Sequence, residues 1–308
     1  MRSRHIEVTV DLDRVRAAAE RIRAMTSVAL IAVIKADAYG LGAVRVADVL
    51  AGVADEFAYF SVEEARRVRR PGIVLGPASG EPTEYRELGL RPGVGDRAEA
   101  ERCRGLRPLL NVDTGMQRFG CRAEEIEELL TLSGATEAFT HADGPGGAAR
   151  LRALCAGRVE RMHAAGSALL DEPAAWLDAV RPGLALYAGA VRVTARLAKV
   201  RETGGRIGYT GFETPRVGVI LVGYSQHLRC GPVLINGRWQ RVLEVGMNTA
   251  YVSVDAADRE GDAVVLLGDG LTETEVAAQC GARPHEILCH YTALGERRYV
   301  TDGRTVSD

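Results

Sequence analysis

Short apolar runs alternate with helical patterns from about residue 28 to about residue 190. Segments with helix-type periodicity, such as 124–130 and 149–162, lie between the apolar runs. Strand–helix alternation repeated eight times favours parallel strands that close into a (β/α)8 TIM barrel, an α/β fold. The eight candidate strands are 28–34, 57–60, 72–76, 92–95, 108–112, 137–141, 166–170 and 179–187.

The pattern changes after about residue 190, where β-type runs follow one another with few helical stretches. Asn236-Gly237, between two such runs, predicts a hairpin turn, and residues 272–280 predict one short helix. We therefore predict a barrel over residues 9–190 and a mainly antiparallel β domain over residues 191–308. The N-terminal strand 5–11 could join this β domain.

Composition narrows the classes of function. The chain has 308 residues, of which 46% are hydrophobic and 26% charged, a composition typical of a globular protein. Its net charge is -2 with acidic and basic residues interspersed, which does not suggest a surface for nucleic acid or a polybasic membrane anchor. No apolar stretch reaches the roughly 18 residues of a membrane span, and no signal peptide precedes the first strand, so we expect a cytoplasmic protein. The six cysteines form no CxxC pair and are expected to be free thiols; the six histidines show no metal-ligand spacing, so no metal site is predicted.

Lys35 is the first candidate for chemistry. It ends the apolar run 28–34 and precedes a turn of small residues, and the carboxyl ends of barrel strands form the usual active-site mouth. Partial desolvation there lowers the pKa of a lysine, and the free amine can condense with an aldehyde cofactor. On its own, a lysine that ends a strand is most often a solvated side chain.

The whole string IKADAYGLGA (34–43) resembles the cofactor-binding signature of the alanine racemase family, in which the lysine holds pyridoxal 5'-phosphate. The resemblance implies that Lys35 holds this cofactor and that Tyr39 contacts its phosphate. Further segments resemble family elements in the same order along nearly all of the chain. They are NVDTGMQRFG (111–120), THAD (140–143), GSA (166–168), RPGLALYAG (181–189), GYTG (208–211), VGYS (222–225), VGMN (245–248) and HYTALGERRYV (290–300).

The same resemblance implies further cofactor contacts. Ser167, the backbone of Gly183 and Leu184, and Tyr291 are expected at the phosphate, and Arg181 is expected to face the pyridine nitrogen. Arginine does not give up its proton, so this nitrogen would stay unprotonated. The cofactor is then a weaker electron sink, which favours reprotonation of Cα over transamination.

Racemisation removes a proton from one face of Cα and returns it on the other, most simply with two bases. The resemblance assigns Lys35 to one face and Tyr209 to the other, with Tyr224 as the rival for the second role. A phenol with a pKa near ~10 needs cationic or hydrogen-bonding neighbours to act as a base, and Arg118 and His141 are the candidates. The residues expected at a small amino-acid substrate are Arg118, Tyr224, Met247 and Asn248. The resemblance also implies a head-to-tail homodimer in which the β domain completes the partner's site.

Several positions depart from the family pattern. Asn111 stands where many relatives have a carbamylated lysine, Gly166 replaces an asparagine, and Asn248 replaces an aspartate. The segment GYSQHLR (223–229) replaces GYADGYPR. These changes cluster near the expected substrate, so alanine is the default while serine or a larger or modified amino acid stays open.

Two other interpretations remain at this point. One is a different reaction with the same cofactor, such as decarboxylation, elimination or epimerisation of an unusual substrate. The other is a non-catalytic cofactor-binding protein. The presence of a β domain that carries Tyr209 favours an enzyme.

Overall fold

The computed structural model describes residues 3–306, which divide into two compact units. The barrel unit comprises Val15–Ala38 and Gly42–Leu186. The β unit comprises the residues up to Arg14, the short segment Tyr39–Leu41 and the residues from Tyr187 onward.

Eight parallel strands of the barrel unit close into a barrel, which confirms the predicted fold class. Its first strand pairs with its last, with Ala29 opposite Ala179. Side chains such as Leu30, Ile73 and Leu110 are fully buried, as expected for strands covered on both faces. The strands are Ala29–Val33, Glu56–Tyr59, Gly72–Val74, Leu90–Val94, Leu109–Asn111, Glu137–Phe139, Arg161–His163 and Ala179–Val180.

Helices connect these strands. Local signals explain several of their ends: the Asp96 carboxylate accepts a hydrogen bond from Glu99 N at 2.8 Å, and Gly134 in the left-handed region ends the helix before it. The segment Lys35–Tyr39 is a left-handed turn rather than an α-helix. The α-helices up to the last barrel connection are Leu12–Thr26, Ala43–Leu50, Val62–Val68, Pro82–Glu87, Arg97–Arg102, Ile126–Ser133, Pro145–Cys155 and Leu184–Tyr187. Short 3-10 helices are Ala123–Glu125, Ser167–Leu169 and Pro173–Ala175.

The predicted seventh strand was wrong. Residues 166–170 contain a 3-10 helix, and the strand is Arg161–His163, which pairs with Glu137–Phe139. The reason is that this strand carries polar side chains, so it lacks the apolar run by which the other strands were recognised. The eighth strand was placed correctly but is shorter than predicted, because Leu184–Tyr187 is helical.

The β unit holds a nine-stranded sheet. Neighbouring strands are antiparallel except for Ser3–Asp11 and Gly295–Thr301, which run parallel. The N-terminal strand thus lies within this sheet. In spatial order the strands are Arg216–Ile220, Ala250–Val252, Arg238–Val245, Pro232–Ile235, Ala263–Leu267, Val191–Glu202, Ser3–Asp11, Gly295–Thr301 and Arg304–Val306.

The predicted hairpin and the one predicted helix of the β unit are present. Asn236 and Gly237 both have positive φ, and the strands that they connect pair with each other. Helix Glu273–Cys280 begins after Thr272, whose hydroxyl accepts from the Glu275 N–H. The structure adds helix Pro284–Tyr291 and a 3-10 turn at Tyr224–Gln226, which the sequence pattern did not predict. Across residues 3–306, none of the helices combines the length and apolar character that a membrane crossing requires.

Candidate active site

Lys35 begins an unusual turn at the end of the first barrel strand. Ala36, Asp37, Ala38 and Tyr39 all have φ between 52° and 55°, so the backbone forms one left-handed helical turn. Left-handed helix costs L-residues roughly 1–2 kcal/mol each, and such strain is kept where surrounding contacts impose it. Local contacts are present here, since Ala38 N donates to Ile34 O at 2.9 Å and the Asp37 carboxylate accepts from Ala43 N at 2.8 Å.

Glu64 supports the same turn from a distance. One carboxylate oxygen accepts from Ala36 N at 2.8 Å, and the other accepts from Phe60 N at 2.7 Å. Ser61 is the N-cap of helix Val62–Val68 but makes no side-chain cap bond. Glu64 therefore links Ala36, the residue after Lys35, to Phe60 at the end of the next barrel strand through hydrogen bonds. Sequence analysis did not predict this role.

Arg181 lies inside the barrel and is only 5% exposed. Its guanidinium donates to Nδ1 of His163, to the His163 carbonyl at 2.7 Å, and to the Thr140 carbonyl at 2.5 Å. It also lies over the ring of Phe139, 5.3 Å from the centroid. These contacts hold the side chain in one orientation.

His163 links Arg181 to a buried carboxylate. Arg181 can only donate, so Nδ1 of His163 must be an acceptor and Nε2 carries the proton, which it donates to Glu137 at 2.9 Å. Complete burial and the Arg181 charge lower the pKa of His163 to about 3, which keeps the ring neutral. Glu137, His163 and Thr140 were not predicted as site residues. Glu137 and His163 belong to no recognised motif, and Thr140, although it stands in THAD (140–143), takes part through its backbone carbonyl.

Glu137 is the anionic end of this chain. It pairs with Arg91 at 2.6 Å and with Arg161 at 3.1 Å. Burial by itself would raise the pKa of Glu137, but the bond from His163 and the Arg91 charge outweigh it and lower the pKa to about 2. The carboxylate is therefore ionised at neutral pH.

His141 and Arg118 lie in the same unit as Lys35. Partial burial, and then the charges of Arg181, Arg118 and Lys35, lower the pKa of His141 to about 4. His141 is therefore neutral at pH 7 and offers a hydrogen bond rather than a charge. Arg118 is exposed, with its guanidinium 5.2 Å from the ring centroid of Phe119.

Ser167 lies where the helix Leu184–Tyr187 begins. Its hydroxyl oxygen accepts from Gly183 N and from Ala185 N, both at 3.0 Å. A Cβ built on Gly166 would meet only the Arg181 carbonyl, at 3.8 Å, so the space beside Ser167 is open. A hydroxyl and backbone N–H groups at a helix start are donors suited to an anion.

The β unit holds the two tyrosines expected at the phosphate. Tyr39 is partly exposed, and its ring lies 5.3 Å from that of Tyr187 and 6.4 Å from that of His285. Burial raises the pKa of Tyr39 to about 12, so the phenol keeps its proton. Tyr291 is 2% exposed, and burial followed by the neighbouring Cys280 raises the pKa of its phenol; its contact with a phosphate stays a prediction.

Four further predicted site residues come together on the surface of the β unit. Tyr224 N donates to Gly246 O at 2.9 Å, and the Ser225 hydroxyl contacts both Met247 O and Asn248 Oδ1. A Cβ built on Gly246 would lie 3.6 Å from Cε2 of Tyr209. We call Tyr209, Tyr224, Met247 and Asn248 the exposed cluster, because Tyr209 is 92% exposed and its neighbours are exposed as well.

Comparison with known proteins decides the family. The profile of the alanine racemase N-terminal domain matches residues 10–191, and that of the C-terminal domain matches residues 190–299. The chain belongs to the alanine racemase family. Alanine racemases of Methylobacterium nodulans and Halorhodospira halophila are 32% and 30% identical to it, over 97% and 99% of this chain and 97% and 100% of theirs.

Solved alanine racemases have the same fold. The biosynthetic alanine racemase of Pseudomonas aeruginosa is 28% identical, with a TM-score of 0.87 over 98% of this chain and 100% of that one. The alanine racemase of Bartonella henselae with covalently bound pyridoxal phosphate is 22% identical, with a TM-score of 0.85 over 97% and 100%. The predictions of the family and of a pyridoxal-phosphate-dependent isomerase are confirmed. As an alanine racemase family member, the chain is an enzyme of the class that its motifs predicted.

Proposed function

We propose that this chain interconverts L- and D-alanine, with pyridoxal phosphate held by Lys35. The observation that carries the proposal is the placement of Lys35 on a left-handed turn at the carboxyl end of the first barrel strand, in the same unit as the buried Arg181. The relatives named above, which match the chain over nearly its whole length, are alanine racemases. A small amino acid is thus the substrate we propose, and a cytoplasmic location stays a prediction.

The donors of the barrel unit fit pyridoxal phosphate by their chemistry. Lys35 supplies a primary amine for the aldehyde, and Arg181 supplies a guanidinium for the pyridine nitrogen. The Ser167 hydroxyl and the backbone N–H groups of Gly183 and Leu184 would hold the phosphate, with the Gly183 N–H exchanging its present acceptor, the Ser167 hydroxyl oxygen, for a phosphate oxygen. The cofactor, when bound, supplies the electron sink for the charge left when Cα loses its proton.

Tyr39 and Arg181 would each keep a proton in the loaded enzyme. The phenol of Tyr39, with its raised pKa, can donate a hydrogen bond to a phosphate oxygen. Burial lowers the pKa of Arg181, yet a guanidinium with an ordinary pKa above ~12 stays protonated at neutral pH. Arg181 would therefore donate a hydrogen bond to the pyridine nitrogen without transferring a proton, which would favour return of the proton to Cα.

Two bases on opposite faces of Cα would carry the proton. Lys35 would serve one face and Tyr209 the other, because one side chain cannot reach both faces. Arg118 would bind the substrate carboxylate, and neutral His141 would offer a hydrogen bond. Tyr224, Met247 and Asn248 would border the substrate.

The exposed cluster supports a homodimer with shared sites. A phenol that is 92% exposed is in bulk water, whereas proton transfer at Cα requires a shielded, oriented base. Tyr224 and Met247 beside it expose apolar surface of the kind that marks interaction sites. We therefore propose that a second copy of the chain, arranged head to tail, covers this cluster.

The chain offers a clean test of the cofactor lysine because it contains only two lysines, Lys35 and Lys199. Lys199 is exposed, 70% by side chain, and pairs with Glu260 at 3.3 Å. Borohydride reduction of the protein loaded with pyridoxal phosphate should leave an adduct on the peptide that contains Lys35. Lys35→Ala should lose the adduct and Lys199→Ala should keep it; an adduct on Lys199 alone would refute the assignment.

The reaction is tested with single enantiomers of alanine in D₂O. Deuterium uptake at Cα together with inversion, from both L- and D-alanine, is the expected result. Serine and larger amino acids are the comparison, since Asn111, Gly166 and Asn248 depart from the family pattern. Uptake without inversion, or release of CO₂, would contradict racemisation.

A further inference from the structure

A buried carboxylate lies directly behind the turn that presents Tyr209. Glu244 is 6% exposed, and its Oε1 accepts from Tyr209 N at 2.9 Å. Its Oε2 accepts from both Thr210 N and the Thr210 hydroxyl at 2.6 Å. One side chain therefore binds two successive backbone N–H groups of the turn.

The turn is shaped to receive this carboxylate. Gly208 and Gly211 on either side of Tyr209 and Thr210 both have a φ of 69°, in the left-handed region that favours glycine. A Cβ built on Gly208 would lie 2.4 Å from Oε1 of Glu244, so the close approach requires glycine there. The turn is closed behind them, where Ile207 N donates to Phe212 O at 2.9 Å.

Glu244 occupies an unusual position for a carboxylate. It lies on strand Arg238–Val245, on the face where Val242 is also buried, and the pairing register shifts between these two residues. Irregularities of this kind re-aim side chains and are frequent beside active sites. A buried carboxylate is costly without hydrogen bonds, and the donors it receives here are those of the Tyr209 turn.

The same strand leads into the exposed cluster. Two residues after Glu244 comes Gly246, beside the ring of Tyr209, and Met247 follows. Glu244 thus fixes the Tyr209 turn to the segment that carries Met247. Tyr209 itself, being 92% exposed, has little side-chain packing within the β unit to fix its place.

We propose that Glu244 is a positioning residue for Tyr209, holding the turn backbone so that the phenol is presented at a fixed place. The inference rests on the proposed role of Tyr209 as a base. Misplacement of a reacting group by about 1 Å can cost about 10²-fold in rate, so a loosened turn should reduce one proton transfer and leave the other.

The test uses Glu244→Gln, which keeps the shape of the side chain but replaces one accepting oxygen by an amide group. The amide N–H then faces a backbone N–H of the turn and cannot accept its hydrogen bond. Glu275→Gln is the matched control, because Glu275 also accepts from a backbone N–H and a threonine hydroxyl, both of Thr272 and both at 2.8 Å. Amide hydrogen exchange of a peptide covering 203–214 should accelerate in Glu244→Gln and stay unchanged in Glu275→Gln. Unchanged exchange in both variants would overturn the proposal, whatever the role of Tyr209.

The kinetic readout separates positioning from general structural damage. Glu244→Gln should slow Cα deuterium exchange about 10- to 100-fold from the enantiomer that Tyr209 serves, and less than twofold from the other. In a Tyr209→Phe background, adding Glu244→Gln should have no further effect. Equal slowing from both enantiomers, or full additivity with Tyr209→Phe, would show a merely structural role and overturn the proposal. If Tyr209→Phe alone racemises normally, the proposed base is wrong, and this outcome is distinct from the result of amide exchange.

Discussion

Replacement of Glu137 by glutamine should destabilise the barrel by an amount that can be worked out from its surroundings. Glu137 is 5% exposed; it forms ion pairs with Arg91 and Arg161 and accepts a hydrogen bond from His163. Its pKa is lowered from an ordinary value of 4.5 to about 2, chiefly because the His163 bond and the Arg91 charge outweigh the opposing effect of burial. At 1.36 kcal/mol for each pKa unit, the ionised form contributes about 3 kcal/mol to stability at neutral pH.

The sign of the pH dependence follows from the direction of this pKa change. A carboxylate whose pKa is lower in the folded state stabilises the protein fully above about pH 4.5 and loses that contribution as the pH falls toward 2. Glutamine does not titrate. The difference in unfolding free energy between parent and Glu137→Gln should therefore be about 3 kcal/mol at pH 7 and should shrink below about pH 5.

Urea unfolding monitored by circular dichroism at pH 7, 5 and 4 measures this difference. Glu127→Gln is the matched control, because Glu127 pairs with Arg158 at 3.0 Å while 76% exposed, and such surface pairs contribute about 1 kcal/mol or less. A loss no larger in Glu137→Gln than in Glu127→Gln would refute the reasoning. So would a difference that stays constant as the pH falls.

Three further results are expected. Arg181→Glu should slow racemisation and increase keto acid formation, measured with a coupled dehydrogenase, because a carboxyl group can share a proton with the pyridine nitrogen; an unchanged product ratio would count against this role. Inactive Lys35→Ala and Tyr209→Phe proteins, mixed under proven subunit exchange, should recover some activity, since one site of a mixed dimer is intact; no recovery would argue for sites within one chain. Gly40→Ala should lower the free energy of unfolding, measured in urea, by about 1–3 kcal/mol, because φ is +87° and the new Cβ would lie 2.0 Å from a threonine hydroxyl. Gly204→Ala, where a Cβ would meet open space, should be near neutral. Equal losses in the two variants would contradict the steric argument.

Much of the fold was readable from the chain because parallel barrel strands are buried on both faces and form continuous apolar runs. The runs at 28–34 and 72–76 correspond to strands Ala29–Val33 and Gly72–Val74. Strand Arg161–His163 was not predicted, because its side chains take part in the polar network of Glu137 and therefore form no apolar run.

Residues of the candidate site could be predicted from the sequence only where each stands within a short recognisable segment. Lys35 and Tyr39 share one ten-residue string, and the other predicted residues each stand within a short segment that resembles the family. The burial of Tyr291 beside Cys280 was not predicted, because it depends on how the helix Pro284–Tyr291 packs and that helix was not predicted either.

The sequence by itself determined the barrel followed by a β-rich region, the class of enzyme and the lysine expected to hold its cofactor. Only the tertiary structure decided which groups orient the site. Glu64 is 28 residues from Ala36, and Glu244 is 35 residues from Tyr209. A hydrogen bond between such residues leaves no periodic signal in the chain, because it depends on the distance between atoms after the strands have paired.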